Sequence, residues 1–168
     1  MTRASAHEGT PIELSHMIDA VRERSGSYTG GTAEQNLTYA CEDVVVGVWP
    51  GPMFDHHLVV SRVESIAMDE GWDAPSVFFG RTPARCVAFT QLETRSVKFF
   101  EGDVHVVTML HELAHLGVSA HLHGDAFRSE LCRLVRSHWG VEQASLLHAL
   151  YCAVNLPVGP WQATERRA

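Results

Sequence analysis

Apolar residues recur at helical spacing along several stretches of the chain and cluster in short β-branched or aromatic runs between them, which divides it into helices and strands. Residues 11–24 read as a short amphipathic helix, followed over 25–32 by a connector rich in Gly and Ser. Residues 33–49 begin as a helix, but Val44-Val45-Val46 makes the second half equally readable as a strand. Pro50-Gly51-Pro52 is a firm break, after which Asp55 caps a helix over about 56–70 whose Leu58, Val59, Val63, Ile66 and Ala67 share a face. On this reading Asp55-His56-His57 is a cap and first turn rather than a second metal site.

Runs at 76–80, 85–90 and 96–100 are separated by turn formers such as Thr82-Pro83 and predict a small sheet of about three strands. Next, Val106, Leu110, Leu113, Ala114 and Gly117 form a helical stripe, with Asp103 placed to cap the helix and Gly117 to help end it. Residues 125–137 are amphipathic through Phe127, Leu131, Leu134 and Val135, and 141–154 form a last helix with Ala144, Leu147, Leu150 and Tyr151 inward. The pattern predicts an α+β fold. It divides into an N-terminal helix and connector (1–32), one domain (33–160) and a loose charged tail (161–168), with no internal repeat.

Composition narrows the picture. A chain of 168 residues, 45% of them hydrophobic, can bury one proper core. Its formal net charge of −7 disfavours nucleic acid and anionic membranes, which attract positive fields, and points to neutral or basic partners. The first ten residues hold no apolar signal core and no stretch is apolar enough to span a bilayer, so a cytoplasmic location is expected. Cys41, Cys86, Cys132 and Cys152 form no CxxC pair; this excludes a zinc ribbon or a thioredoxin-like motif and predicts four free, buried thiols.

The chemistry is concentrated in His111-Glu112-Leu113-Ala114-His115. Residues four apart on a helix stand one above the other, so both imidazoles project from one side, off the apolar stripe, and can grip a divalent ion. A catalytic zinc usually has three protein ligands and an open position, and the segment just downstream offers His121 and His123 as the third. Glu112 stands beside the first imidazole, where a carboxylate can take a proton from a metal-activated water. The other histidines, at 7, 16, 56, 57, 105, 138 and 148, have no paired spacing, although His148 or Tyr151 on the last helix is a candidate oxyanion partner.

The order HELAH, short loop, His123-Gly124-Asp125-Ala126-Phe127, then an amphipathic helix resembles the minimal zincin cores of SprT-like and WLM-type metallopeptidases. Over most of its length, including Tyr39-Ala40-Cys41-Glu42, the chain is similar to a group of small bacterial metallohydrolases. This resemblance implies a minimal zincin-like fold, with the sheet packed on the metal helix between N- and C-terminal helices. It also implies zinc held by His111, His115 and His123, with Glu112 as general base. His121 has the metzincin spacing, but Val118 stands where that motif has glycine, and Gly124 and Phe127 favour His123. The chain differs from SprT-like proteins in lacking a cysteine-rich ribbon and a basic surface, which argues against a DNA-repair role.

The resemblance further implies hydrolysis of a peptide or protein amide, with an extended substrate paired to an edge strand, for which 96–100 is the candidate. A zinc-binding regulator and a small-molecule amide hydrolase or lyase are the alternative classes. Side-chain preference and oligomeric state are left open by the pattern.

Overall fold

Two of the helices start by the same device. Thr32 accepts a hydrogen bond from the Gln35 amide at the head of α2 (Ala33–Val48), and Asp55 accepts one from the Leu58 amide at the head of α3 (His56–Glu70). Gly71 ends α3 in the left-handed conformation (φ 68°), which only glycine adopts without strain. These features belong to a computed structural model that describes residues 13–81, 87–100 and 102–161. The tail from 162 onward lies outside the described residues, as does Cys86.

The ambiguity of 33–49 is resolved wholly in favour of helix. Ala40, Cys41, Val44 and Val45 share one face at helical spacing, and all four are buried in the core that α2 forms with α1 (Leu14–Ser25) and α6 (Val141–Ala153). Burial of a whole stripe outweighs the slight preference of a valine run for strand, because each buried side chain contributes about 1.5–3 kcal/mol. Val21 of α1 is buried in the same cluster.

The main sheet has three strands, β2 (Ser76–Phe79), β3 (Ala88–Gln91) and β4 (Ser96–Phe99), in the spatial order β2-β4-β3. β4 pairs parallel with β2, Val77 opposite Val97, and antiparallel with β3, Thr90 opposite Val97. The expectation that 96–100 is the edge strand is therefore wrong: β4 is interior, paired on both sides. Strand order depends on pairing between segments, which a single run of residues does not reveal. Among the described residues the edges are β2 and β3.

A second, two-stranded antiparallel pairing joins β1 (Met53–Phe54) to β5 (Val104–His105). Two-residue strands are too short to show alternation, and this one moves the start of the central helix α4 (Val106–Val118). Its cap is His105, whose Nδ1 accepts from the Val107 amide at 3.1 Å, not Asp103. Nor does Gly117 end it. The helix runs on to Val118 and turns at Ser119 (φ 52°), while a Cβ on Gly117 would stand 2.6 Å from Glu130 Oε1 and 3.1 Å from its Cγ. Gly117 is a close-approach residue that lets α5 (Asp125–His138) lie against α4.

α4 is buried on every side from Met109 to Leu116, packed by β3 and by α5, which in turn packs on α6. Phe127, Leu131, Leu134 and Val135 of α5 and Ala144, Leu147, Leu150 and Tyr151 of α6 point inward, as their spacing predicts. Cys41 and Cys132 are buried free thiols; Cys152 is a free thiol too but is exposed, because it lies on the outer side of α6. Among the described residues no helix is long and apolar enough to cross a membrane.

Candidate metal centre

One turn of α4 carries His111 and His115, and the loop after the helix returns His123 to them. One ring nitrogen from each of the three lies within 4.8 Å of the others, and all three side chains are buried. The Nε2 atoms of His111 and His123 are 2.9 Å apart. His121 is exposed, its ring stacked on Phe89 with centroids 6.4 Å apart, and is not part of the cluster.

Local structure sets this geometry. The left-handed Ser119 turns the chain sharply, so that the Ala120 carbonyl accepts from His115 Nδ1 at 2.7 Å. Fully buried Arg128, one turn into α5, donates through Nη1 to the His123 carbonyl and through Nε to the Pro157 carbonyl at 2.6 Å, and its Nη2 lies 2.8 Å from Glu34. Phe127 lies beneath all three imidazoles, with centroids 4.8, 4.4 and 4.6 Å from His111, His115 and His123. Tyr39 from α2 packs on His111 at 5.4 Å and on His123 at 5.1 Å.

The electrostatics suit a cation. Glu42 of α2 receives the Nδ1 proton of His111, with both carboxylate oxygens at 3.0 Å. With Nδ1 of His111 and of His115 each committed to an acceptor, their Nε2 lone pairs are left for the centre of the cluster. Burial, reinforced by neighbouring His111, holds His115 down to about 4 and His123 down to about 3, so both rings are neutral, the form that binds metal. Burial opposes charge on His111 too, but the Glu42 carboxylate and its hydrogen bond outweigh it and the net shift is upward. Burial also raises Glu42 and Glu112, against the lowering influence of His111. Three imidazoles crowd their lone pairs together between two buried carboxylates. A divalent cation among them would both accept the lone pairs and balance the two negative charges, and on this ground the donor set fits a metal ion.

Glu112, buried beside His111, is held by Thr90 of β3, whose hydroxyl lies 2.5 Å from Oε2 and 3.0 Å from the Glu112 carbonyl. His111, Glu112, Glu42 and Tyr39 open on a cleft of about 610 Å³ whose far walls are the loop at Tyr28 to Gly31 and the start of β3 at Val87 and Ala88. The two proposed oxyanion partners do not line it. Tyr151 is sealed in the core, and His148 is spent on the Gly159 carbonyl at 2.8 Å. Spacing within α6 placed Tyr151 on the inner face correctly, but the inner face of α6 meets the core, not the cleft.

Tyr39, Glu42, Thr90 and Arg128 are the site residues that sequence spacing does not identify. Glu42 lies 69 positions from its partner His111. The only signal for it and Tyr39 is the Tyr-Ala-x-Glu segment, which carries no role by itself. Glu42→Ala is expected to weaken metal binding about 10- to 100-fold, the usual effect of removing the acceptor behind a ligating histidine. Competition against a chromophoric chelator measures it, and an unchanged affinity would reduce the Glu42–His111 pair to a packing feature.

No protein-family model matches the sequence, and no curated protein matches it. Among solved structures, the crystal structure of the metallopeptidase zymogen of Pyrococcus abyssi abylysin is similar over 60% of this chain and 99% of that one, with 17% sequence identity and a TM-score of 0.40.

Proposed function

We propose that the protein is a zinc-dependent metallohydrolase that cleaves amide bonds in peptides or unfolded proteins. The observation that carries this reading is the convergence of His111, His115 and His123 beside a buried carboxylate, Glu112, which lines an open cleft together with His111. His111, His115 and His123 would hold the zinc, leaving one position for water or substrate. When bound, zinc would supply a water of lowered pKa and a Lewis acid for the substrate carbonyl.

Glu112 takes the proton of the attacking water and returns it to the leaving nitrogen. Its burial favours this, since a carboxyl raised from its ordinary range is a better match for proton transfer near neutral pH. Tyr39 and Phe127 wall the imidazoles from bulk solvent and keep their orientation. An extended substrate would add to the outer edge of β3, which borders the cleft and has no further strand beside it among the described residues. This keeps substrate pairing on an edge while moving it from β4 to its antiparallel neighbour.

The purified protein is expected to carry one zinc per chain by elemental analysis and to cleave fluorescently labelled, denatured casein. A zinc chelator should abolish the cleavage and added zinc restore it. Full metal content with no cleavage of casein would favour the regulator, and cleavage confined to compact amides the small-molecule hydrolase.

A further inference from the structure

We infer that Thr90 is a positioning residue for the general base: its hydroxyl fixes the Glu112 carboxylate in the rotamer that serves the metal-bound water. This rests on the metallohydrolase reading above. Among the side-chain hydrogen bonds of the site it is the one that joins the sheet to the base. Thr90 is buried, faces α4 from β3, and reaches two acceptors on the same residue, Oε2 at 2.5 Å and the backbone carbonyl at 3.0 Å.

The mechanical argument comes from the two side chains. A glutamate has three torsions to order, at a cost of about 1.5–2 kcal/mol in rotamer freedom. Threonine is β-branched and stiff at χ1, and Thr90 sits on a strand whose register to β4 is set by hydrogen bonds, Thr90 opposite Val97. The sheet thus supplies a rigid post and the helix a loose arm tied to it. Misplacing a reacting group by about 1 Å costs roughly 100-fold in rate, so the tie has something to protect.

The proton count also closes. A hydroxyl has one proton to give. While Glu112 is proton-free, Thr90 gives it to Oε2, the nearer and charged acceptor. Once Glu112 has taken a proton from water on Oε1, Oε2 is the carbonyl oxygen of the acid and still accepts the Thr90 proton. One hydroxyl serves the base on both sides of the transfer, with no bond lost. Valine, of the same shape, serves it on neither side.

A purely structural Thr90 would satisfy the helix carbonyl and nothing more, and the experiment separates the two roles. In zinc-loaded protein, Thr90→Val should keep metal content, thermal stability and KM for labelled casein while kcat falls about 10- to 100-fold. Thr90→Ser, which retains the hydroxyl, should return kcat close to that of the parent protein. A crystal structure of zinc-loaded Thr90→Val should show the carboxylate swung away from its parent position; if the variant does not fold, Thr90→Ala takes its place. Unchanged kcat in Thr90→Val, or a Thr90→Ser as slow as Thr90→Val, overturns the inference. Glu112→Gln measured alongside isolates the parent reading: if it cleaves as fast as the parent protein, or the parent protein itself does not cleave, the metallohydrolase reading fails. The carboxylate position in the Thr90 variant then decides this inference on its own, and an unmoved carboxylate ends it.

Discussion

Glu112→Gln is expected to leave the metal in place and cut turnover by a factor on the order of 100 to 10000, the range found when a general base is removed. The amide keeps the size of the side chain and its oxygen can still accept from the Thr90 hydroxyl, so the buried pocket around it stays filled and hydrogen-bonded. What it loses is the ability to hold a proton. Steady-state kinetics on labelled casein, with zinc measured on the same samples, is the check. Turnover equal to that of the parent protein would remove Glu112 from the mechanism and leave the centre as a binding site.

The second large effect falls on the third ligand. His123→Ala should weaken zinc binding on the order of 100- to 1000-fold, because a structural four-ligand site binds zinc with about 10–16 kcal/mol, or roughly a quarter of that per ligand. His121→Ala should leave binding as it was, since His121 is exposed and touches the ring of Phe89 rather than the imidazole cluster. Elemental analysis after dialysis against a weak chelator reads both. The reverse pattern, metal lost from His121→Ala and kept in His123→Ala, would require the loop from Ser119 to Gly124 to be rearranged on metal binding.

Much of this centre is legible in the chain because its parts are local. His111 and His115 are related by one turn of helix, Glu112 by adjacency, and His123 by a loop too short to carry it far. The apolar stripes of α3, α5 and α6 are equally local, and Asp55 caps α3 where the pattern puts it. What the pattern left open or misplaced lies where the outcome depends on a distant segment. Val44-Val45-Val46 is helical because α1 and α6 cover that face. His105 replaces Asp103 as the cap because residues 53–54 pair with 104–105 and extend the strand up to the helix. Gly117 answers to Glu130 of another helix rather than to its own.

Periodicity and spacing by themselves thus determined the α+β class, most elements and a helix-borne pair of histidines with a carboxylate between them, since helical geometry depends only on residues within a few positions of one another. Which strand is the edge, which acceptor orients His111, and what holds Glu112 were decided by the tertiary structure alone. Those properties arise from Glu42 and Thr90 meeting α4 across folded interfaces. A hydrogen bond between segments far apart in the chain exists only once both have been packed, and no local pattern records it.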